Sequence, residues 1–345
     1  MPTQAKVDAA EQTILEVIIL DVGHGNSAVA YDGHARLVVD VAQEVTLFEE
    51  LEQSRSSLID HLVLSHSDAD HIRGASAALS RREISVANLW VNPDGTKDSE
   101  TFVDLMYLAQ DLFESTGLAV HTNLNVGAKA ALTSGRVEVE ILHPGIAFAL
   151  SGPGRRKRGP QGISSNSMSA VLRIRLAGHP AVLLPGDLDL TGFESLVANG
   201  TDMSAPVLVF PHHGGRTGSG GDREFARMIC EAVGPELVIF SHGRRKFNNP
   251  RPEIVEGIRE ARPDVRIICT QVSRSCQAEE IPLGNHHLLN RPALGRRENL
   301  CCGGSVVVSL SGEGINWRPA SAGHGTFVQG LSTPLCRVTF GDLTK

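Results

Sequence analysis

Aromatic residues are scarce in this 345-residue chain, at 4% of the sequence against 41% for hydrophobic residues as a whole. The core must therefore consist mainly of valine, isoleucine, leucine and alanine, and the chain is long enough to bury a sizeable one. Two tryptophans, two tyrosines and eleven phenylalanines are present. So few aromatic rings give little support to a surface that stacks the bases of a long single strand.

Cysteines are also few, at six. A chain of this length with six cysteines is not a disulfide scaffold, so we expect a reducing compartment with free thiols or a metal site. No apolar run approaches the roughly 20 residues that a membrane-spanning helix needs. Residues 1–11 are polar and lack the apolar core of a signal peptide. We therefore expect a soluble, cytoplasmic protein without a membrane partner.

Basic residues are not in excess, because 32 Lys and Arg face 39 Asp and Glu, for a formal net charge of -7. This balance argues against a protein that coats nucleic acid. The basic residues are local instead. Residues 155–158 form a basic run in a glycine- and proline-rich stretch, which is either a surface insertion or a mobile loop that meets a phosphate group.

The stretch 62–74 carries four potential metal ligands directly after an aliphatic run. The run ends at residue 64, and His66, Asp68, Asp70 and His71 follow it. Imidazole and carboxylate groups suit first-row divalent ions such as Zn²⁺ and Mn²⁺. A buried strand that stops at such a cluster places the ligands on a loop at the edge of a sheet. A polar loop with chance histidines is the alternative, but the rest of the chain supplies matching pieces.

Three later aliphatic runs end in the same way. They are followed by Asp187, by the pair His212 and His213, and by His242. This alternation of strand, ligand and helix predicts an α/β layered fold with its site along one edge of a sheet. Helices are predicted between or after these strand ends at residues 191–198, 222–233 and 252–261.

Two aspartates close predicted strands near the start of the chain, Asp21 and Asp40. Asp21 either orients a metal-binding histidine through a hydrogen bond or caps a turn. His24 lies in the glycine loop that follows Asp21, and a structural and a functional role are both open for it.

Together the strand-end ligands are numerous enough for two metal ions. A carboxylate such as that of Asp187 can bridge two cations about 3.5–4 Å apart. Basic groups beside such a site suit a phosphate, by direct pairing and by long-range attraction. The residues predicted to bind substrate are Arg216, Arg244, Arg245 and Asn248.

A second cluster of potential ligands lies in the C-terminal part of the chain. Four cysteines and two histidines, His286 and His287, could form a tetrahedral structural zinc site. Their spacing is not that of a standard zinc finger, so ordinary thiols are the alternative. The cysteines concerned are Cys269, Cys276, Cys301 and Cys302.

With these motifs in place, the chain resembles the metallo-β-lactamase fold, and in particular the soluble nuclease-like domain of the ComEC competence proteins. The resemblance covers about residues 14–270. Five motifs carry the resemblance, and a sixth matches more weakly. The five motifs are residues 21–27, 65–71, 166–169, 184–187 and 211–215, and the weaker match is 241–250. The motifs at 65–71 and 211–215, in this order, make the resemblance specific.

The resemblance implies an αββα sandwich, an α/β fold in four layers, with two divalent ions, Zn²⁺ or Mn²⁺, between the sheets. It implies that Asp70, His71 and Asp187 hold one ion. His66 and Asp68 would hold the other together with Asp187. His212, or its neighbour His213, would complete a shell. The catalytic residues that it implies are Asp70, Asp187, His213 and Asn166.

Three positions depart from the family pattern. Asp68 stands where the family at large has histidine, which brings Mn²⁺ into competition with Zn²⁺. Asn166 replaces another histidine and is better suited to donate a hydrogen bond to substrate. Asn249 replaces a histidine that could act as a general acid, and this puts the catalytic rate in question.

The sequence thus predicts a hydrolase domain over residues 1–273 and a C-terminal extension over 274–345 that packs on it and offers a surface for protein partners. The predicted activity is that of a phosphodiesterase or nuclease acting on a phosphate ester of a nucleic acid or a nucleotide, with a nucleotide, a short single strand and a long polymer all open as the substrate. Two alternatives are open. One is a carboxylic-ester, lactone or thioester hydrolase of the same fold, and the other is a metal-binding sensor or assembly subunit without catalysis.

Overall fold

The structure is a computed structural model that describes residues 15–154, 162–218, 221–279, 284–312, 314–318 and 322–337. Its strands are, in chain order, β1 (Leu15–Ile19), β2 (Ala28–Asp32), β3 (His34–Val39), β4 (Leu58–Leu64), β5 (Ser85–Val91), β6 (Ala119–His121), β7 (Val137–His143), β8 (Val171–Leu176), β9 (His179–Leu184), β10 (Val207–Val209), β11 (Leu237–Phe240), β12 (Arg266–Cys269), β13 (Val306–Ser311) and β14 (Gly314–Arg318). Its helices are α1 (Glu44–Gln53), α2 (Ala69–Ile72), α3 (Ala75–Ser80), α4 (Glu100–Thr116), α5 (Ile146–Ser151), α6 (Leu190–Ala198), α7 (Asp222–Val233), α8 (Pro252–Ala261) and α9 (Ala322–Gln329).

The strands form two sheets. The first sheet has the order β14-β13-β1-β2-β3-β4-β5-β6, and the second has the order β12-β11-β10-β9-β8-β7. Each sheet is antiparallel in one half and parallel in the other. The parallel halves run from β3 to β6 and from β9 to β12. Because parallel strands end at the same edge of a sheet, side chains that follow β9, β10 and β11 can meet at one edge of the second sheet.

Strand β1 shows why the central strands are aliphatic throughout. Val17 and Ile19 point into the core between the two sheets. Ile18, on the other face, packs into the core between the first sheet and its helices. A strand that is buried on both faces needs a continuous apolar run rather than an alternating one.

Helices cover the outer face of each sheet. Leu47 of α1, Ala78 of α3 and Leu105 of α4 pack on the first sheet. Leu196 of α6 and Phe225 of α7 pack on the second, together with α8. The order of layers is helix, sheet, sheet, helix. The predicted αββα sandwich is confirmed.

Helices α6, α7 and α8 lie where the sequence predicts them, to within one residue. Strand β13 pairs with β1, and β14 pairs with β13, so residues after 273 supply two strands of the first sheet. The predicted division of the chain at residue 273 stays a prediction. Among the described residues, no helix combines the length and the apolar character needed to cross a membrane.

Candidate metal centre

The predicted ligand cluster lies in a turn that follows β4 and leads directly into α2. Asp68 precedes the first residue of α2, and Asp70 and His71 lie inside this helix. The chain after β3 holds the turn in place. Val41 N donates to the carbonyl of His71 at 2.7 Å, and Gly74 N donates to the carbonyl of Val41 at 2.8 Å. Backbone hydrogen bonds therefore fix the ligand candidates before any metal binds.

Asp40 orients this turn, a role that the sequence analysis did not assign to it. Asp40 is 1% exposed and has a positive φ of 59°. Its carboxylate accepts the N–H of Ser65 at 2.7 Å and lies 2.6 Å from His71 Nδ1. A carboxylate on one ring nitrogen fixes the tautomer and leaves the other nitrogen for a metal. Burial opposes a charge on His71, but Asp187 and Asp40 raise the pKa of its imidazole well above the ordinary value.

Asp187 lies at the centre of the site, because four imidazoles face its carboxylate. Its Oδ1 is 3.0 Å from His71 Nε2 and 3.5 Å from His213 Nε2. Its Oδ2 is 3.9 Å from His66 Nε2 and 4.0 Å from His212 Nδ1. Burial opposes ionisation, but His213 and His71 lower the pKa of Asp187 well below its ordinary value. The group is therefore a charged carboxylate.

The turn before Asp187 requires a glycine. Gly186 has a φ of +57°, and a Cβ at this position would lie 2.9 Å from Ser65 Oγ. Ala170 N also donates to the carbonyl of Ser65, at 2.8 Å. The loops of the second sheet thus pack directly on the turn after β4, and this contact sets the distance between the two halves of the site.

His213 and His212 follow β10 and have different surroundings. His213 is 1% exposed, its Nδ1–H donates to the carbonyl of Ser241 at 2.8 Å, and its Nε2 lies 3.9 Å from Asp70 Oδ2. Burial lowers the pKa of His213 to about 4, so its ring is neutral near pH 7. His212 has a side chain 34% exposed, and Asn166 Nδ2 donates to its Nδ1 at 3.3 Å. His213 therefore has the setting of a metal ligand, whereas His212 and Asn166 lie at the rim.

His66 and Asp68 lie on the opposite side of Asp187. His66 Nδ1 is 3.1 Å from Ser65 Oγ, and its Nε2 is 3.9 Å from Asp68 Oδ2. The ammonium of Lys97 forms an ion pair with the other oxygen of Asp68. Burial lowers the pKa of His66, which keeps the imidazole neutral. Lys97 was not predicted, because it lies in a loop after β5 without any motif around it.

Asp94 ties three loops of the site together. Its Oδ2 accepts hydrogen bonds from Ser67 at 2.6 Å and from Ser165 at 2.5 Å. Ser67 lies between two ligand candidates, and Ser165 precedes Asn166. Asp94 Oδ1 accepts the N–H and the hydroxyl of Thr96, so the loop that carries Lys97 joins the same network.

Among the described residues, two groups of side chains have their ligand atoms within 4.8 Å of one another. One is His66, His71 and Asp187, and the other is His24, Asp70 and His213. His66 Nε2 and His213 Nε2 are buried without a hydrogen-bond partner in the described part of the chain. Unpaired buried nitrogens are costly unless something else occupies them. The residues present therefore fit divalent metal ions.

Asp21 does not orient any of these histidines. Its carboxylate accepts the N–H groups of Gly23 and Gly295 and the side-chain amide of Gln271. Cys301 Sγ also donates to it, at 3.3 Å. Burial raises the pKa of Asp21. Of the two predicted roles, Asp21 therefore has the structural one: it joins the strand end of β1 to the C-terminal segment.

One predicted substrate-binding residue, Arg244, is not available to a substrate. Arg244 is 1% exposed, and its guanidinium donates to carbonyls of the C-terminal segment, including those of Val272 and Gln277. The prediction that Arg244 binds substrate is corrected, because its donors are used inside the protein. Arg245 pairs with Glu298 at 2.8 Å, and Asn248 accepts from Ser275.

Arg216, residues 155–158 and Asn249 also belong to the predicted site. Arg216 is exposed and lies three residues after His213. Residues 155–158, the predicted basic run, lie outside the described residues. Asn249, which replaces a family histidine, is 7% exposed and lies beside Gly215.

The four cysteines of the predicted zinc site are buried as free thiols. Neither of the two ligand groups found in the described residues includes a cysteine. Cys301 faces Asp21, while Cys302 Sγ lies 3.5 Å from His324 Nε2. Burial raises the pKa of Cys269 and of Cys302 well above the ordinary value, which favours the protonated thiol. The structural zinc site of Cys269, Cys276, Cys301 and Cys302 stays a prediction.

Comparison with known proteins gives distant relatives. No protein-family model matches the chain. The chain is 27% identical over 276 residues to Competence protein ComA of Neisseria gonorrhoeae, a match that covers 78% of this chain and 33% of that protein. It is 22% identical over 284 residues to ComE operon protein 3 of Bacillus subtilis (strain 168), covering 76% of this chain and 32% of the relative. The matches span about a third of the length of these relatives.

Among solved structures, the chain is similar to the metallo-β-lactamase fold protein YhfI from Bacillus subtilis. The identity is 13%, the TM-score is 0.44, and the match covers 75% of this chain and 98% of that one. The four-layer architecture and the order of the ligand motifs are independent of this match. Together with the sequence similarities, they show that the chain has the metallo-β-lactamase fold and is related to the competence proteins of the ComEC type.

Proposed function

We propose that this chain is a metal-dependent phosphodiesterase that acts on the phosphate ester of a nucleic acid or a nucleotide. One observation carries the proposal. Two groups of metal-ligating side chains meet at the charged carboxylate of Asp187, and buried imidazole nitrogens without partners belong to both groups. Such a pair of sites suits hydrolysis, since two bound ions lower the pKa of water and stabilise the negative charge that develops on the attacked group.

We assign the first ion to the group of His66, His71 and Asp187, with Asp68 beside it. The second ion would lie between Asp70 and His213, within reach of Asp187. Sequence resemblance divided these ligands differently, with His71 in the same shell as Asp70. We also prefer His213 to His212 as a ligand, because the carbonyl of Ser241 fixes its tautomer with Nε2 facing the carboxylates.

His212 is then free for a different task. Its Nδ1 accepts a hydrogen bond from Asn166, so a neutral ring carries its proton on Nε2. A partly exposed imidazole with a proton on its outer nitrogen can donate a hydrogen bond to a phosphate oxygen of the substrate. His212 would in this way help to orient the substrate, but a neutral ring does not supply the general acid that the family histidine replaced by Asn249 could provide. Asn166 positions the ring and is itself available to a substrate oxygen.

Charge at the rim favours a phosphate over an uncharged ester. The ammonium of Lys97 lies at Asp68, with its side chain 28% exposed. Arg216 is exposed and follows His213 by three residues in the chain. Cations beside a metal site bind the non-bridging oxygens of a phosphate through charge-assisted hydrogen bonds. One relative is a competence protein, and a nucleic-acid substrate fits that role.

A substrate panel tests the proposal. The chain is stripped with a chelator, reloaded with Mn²⁺ or Zn²⁺, and assayed on bis-p-nitrophenyl phosphate, end-labelled single- and double-stranded DNA, RNA, and a p-nitrophenyl carboxylic ester. We expect metal-dependent cleavage of the phosphodiesters, with the end-labelled products showing exo- or endonucleolytic action. Turnover of the carboxylic ester alone would assign the chain to the ester hydrolases of this fold. Tight metal binding without turnover would make it a binding subunit.

A further inference from the structure

We propose that His24 is a direct ligand of the second metal ion, alongside Asp70 and His213. This inference rests on the metal binding described under Proposed function. Without His24, the second position has two protein ligands that the first group does not use, Asp70 and His213. Hydrolytic metal sites commonly have three protein ligands and one open position. His24 supplies the third.

The spacing of the three side chains fits a shared ion. His24 Nε2 lies 3.0 Å from Asp70 Oδ2, and His213 Nε2 lies 3.9 Å from the same oxygen. All three ligand atoms are within 4.8 Å of one another. Two atoms bound at about 2.1 Å to one tetrahedral ion lie roughly 3.4 Å apart. The observed distances bracket this value, so an ion can be accommodated with small side-chain movements.

The main chain around His24 is closely packed against the neighbouring backbone. A Cβ on the next residue, Gly25, would lie 2.2 Å from the carbonyl oxygen of Asp70. A Cβ on Gly243 would lie 2.6 Å from the backbone nitrogen of His24. Asn26 N also donates to the carbonyl of Asp70, at 3.2 Å. The glycine loop is therefore locked onto the helix that carries Asp70, and a rigid main chain is what a preorganised ligand requires.

The ring itself is enclosed. The side chain of His24 is 7% exposed, and its ring centroid lies 4.6 Å from that of His213 and 4.6 Å from that of Phe247. Its Nδ1 is buried and has no hydrogen-bond partner within the described ranges. Packing between two rings holds the imidazole with Nε2 toward Asp70. A histidine that served only to fill space would not need this orientation.

The competing role for His24 is that of a simple hydrogen-bond donor to Asp70. Two substitutions separate the roles. His24→Gln places an amide near the position of Nε2, so it can still donate to Asp70, but an amide is a poor ligand for Zn²⁺. His24→Ala removes both functions. Equal defects in the two variants indicate a ligand, whereas rescue by glutamine indicates a donor.

The test measures metal content and affinity rather than activity. Chelator-treated wild type and variants are titrated with Zn²⁺ in competition with a chromophoric chelator, and bound ions are counted by mass spectrometry. Co²⁺ absorption spectra report the coordination of each position. His61→Gln is the matched control, because His61 is a buried imidazole that accepts a hydrogen bond from Trp90 and belongs to neither ligand group. His34→Gln is a surface control, and thermal unfolding of the apo forms checks folding.

We expect two ions per chain in the wild type and in both controls. Both His24 variants should retain one tight ion and bind the second at least 100-fold more weakly, with a changed Co²⁺ spectrum. Binding of the second ion by His24→Gln within threefold of wild type would overturn the inference. If the wild type binds two ions but cleaves no phosphodiester, the proposed function fails and this inference stands. If the wild type binds no ions, both fail.

Discussion

The two halves of the sandwich contribute to the site in different ways. The half built on the first sheet supplies its ligand candidates from one turn after β4, namely His66, Asp68, Asp70 and His71. The half built on the second sheet supplies them one strand at a time: Asp187 after β9, His213 after β10, and the carbonyl of Ser241, which holds His213, after β11. A cluster that is contiguous in sequence can be recognised by spacing. A cluster assembled from neighbouring strands depends on their order in the sheet.

The same contrast separates two aspartates that look alike in the sequence. Asp40 and Asp21 each follow an aliphatic strand. Asp40 ends β3, whose neighbour β4 carries the ligand turn, and it holds His71. Asp21 ends β1, whose neighbour β13 belongs to the C-terminal segment, and it holds Gly295. Which strand lies alongside, rather than the local motif, decides whether the carboxylate serves the metal centre.

The largest effect is expected from a substitution of Asp187, whose carboxylate lies at the centre of the site. Asp187→Asn keeps the shape of the side chain but loses a charge that belongs to one ligand group and lies 3.5 Å from His213 of the other. We expect kcat/KM to fall by about 1,000-fold or more, roughly 4 kcal/mol of transition-state stabilisation, together with loss of at least one bound ion. Steady-state kinetics and metal counting measure both. Asp202→Asn is the control, because Asp202 pairs with Arg173 at the surface of the same half. Unchanged activity in Asp187→Asn would contradict its central role.

The second test compares Asp40→Asn with Asp21→Asn. Loss of the carboxylate that orients His71 should weaken metal binding by about 10–100-fold. Asp21→Asn should leave metal affinity within about twofold of wild type, since the carboxylate of Asp21 contacts the N–H of Gly23 and the C-terminal segment but no side chain of a ligand candidate. Chelator competition gives both affinities. Equal losses in the two variants would remove the distinction between the two aspartates.

The third test concerns Lys97, which pairs with Asp68 at the partly exposed rim of the site. Lys97→Met removes the ammonium beside Asp68, and we expect KM for a phosphodiester to rise about tenfold, or roughly 1.4 kcal/mol, with kcat little changed. The effect should shrink at high ionic strength because salt screens exposed charges. Arg81→Met, which removes a cation from the helix side of the first sheet, is the control. A fall in kcat with constant KM would place Lys97 in the chemical step instead.

The smallest effect on activity is expected when Glu50 of α1, which pairs with Arg291 of the C-terminal segment, is substituted. Arg291 binds Glu50 at 2.8 Å, and burial raises the pKa of Glu50 to about 7. A raised pKa means that the folded state holds the proton more tightly than the unfolded state. The stabilisation is therefore complete below about pH 4.5 and is lost as the pH rises through about 7, by up to about 3 kcal/mol.

Urea unfolding of wild type and Glu50→Gln at pH 5 and pH 8 measures this effect. The wild type should lose free energy of unfolding between the two pH values relative to the variant, while metal affinity stays the same in both. Glu49→Gln, at an exposed position paired with Arg297, is the matched control. Parallel pH profiles for wild type and Glu50→Gln would show that Glu50 does not titrate differently in the folded state.

Much of the fold follows from local patterns, since helices such as α7 and α8 have clear apolar periodicity and clear ends. The ligand turn after β4 was also predictable, because its residues adjoin one another. The roles of His24, Asp40 and Asp94 were not. Each acts through a partner more than 25 positions away, and a single sequence carries no signal for such contacts. The prediction that Arg244 binds substrate was wrong because it assumed that a basic residue next to a motif is exposed, whereas the folded chain buries this side chain against backbone carbonyls.

The most direct test of the central claim is a titration of metal into the chelator-treated wild type while hydrolysis of bis-p-nitrophenyl phosphate is followed. The structure predicts no hydrolysis without metal and a rate that rises until two ions are bound per chain. Binding of two ions with no hydrolysis, or hydrolysis that is indifferent to the metal, would contradict a metal-dependent phosphodiesterase centred on Asp187.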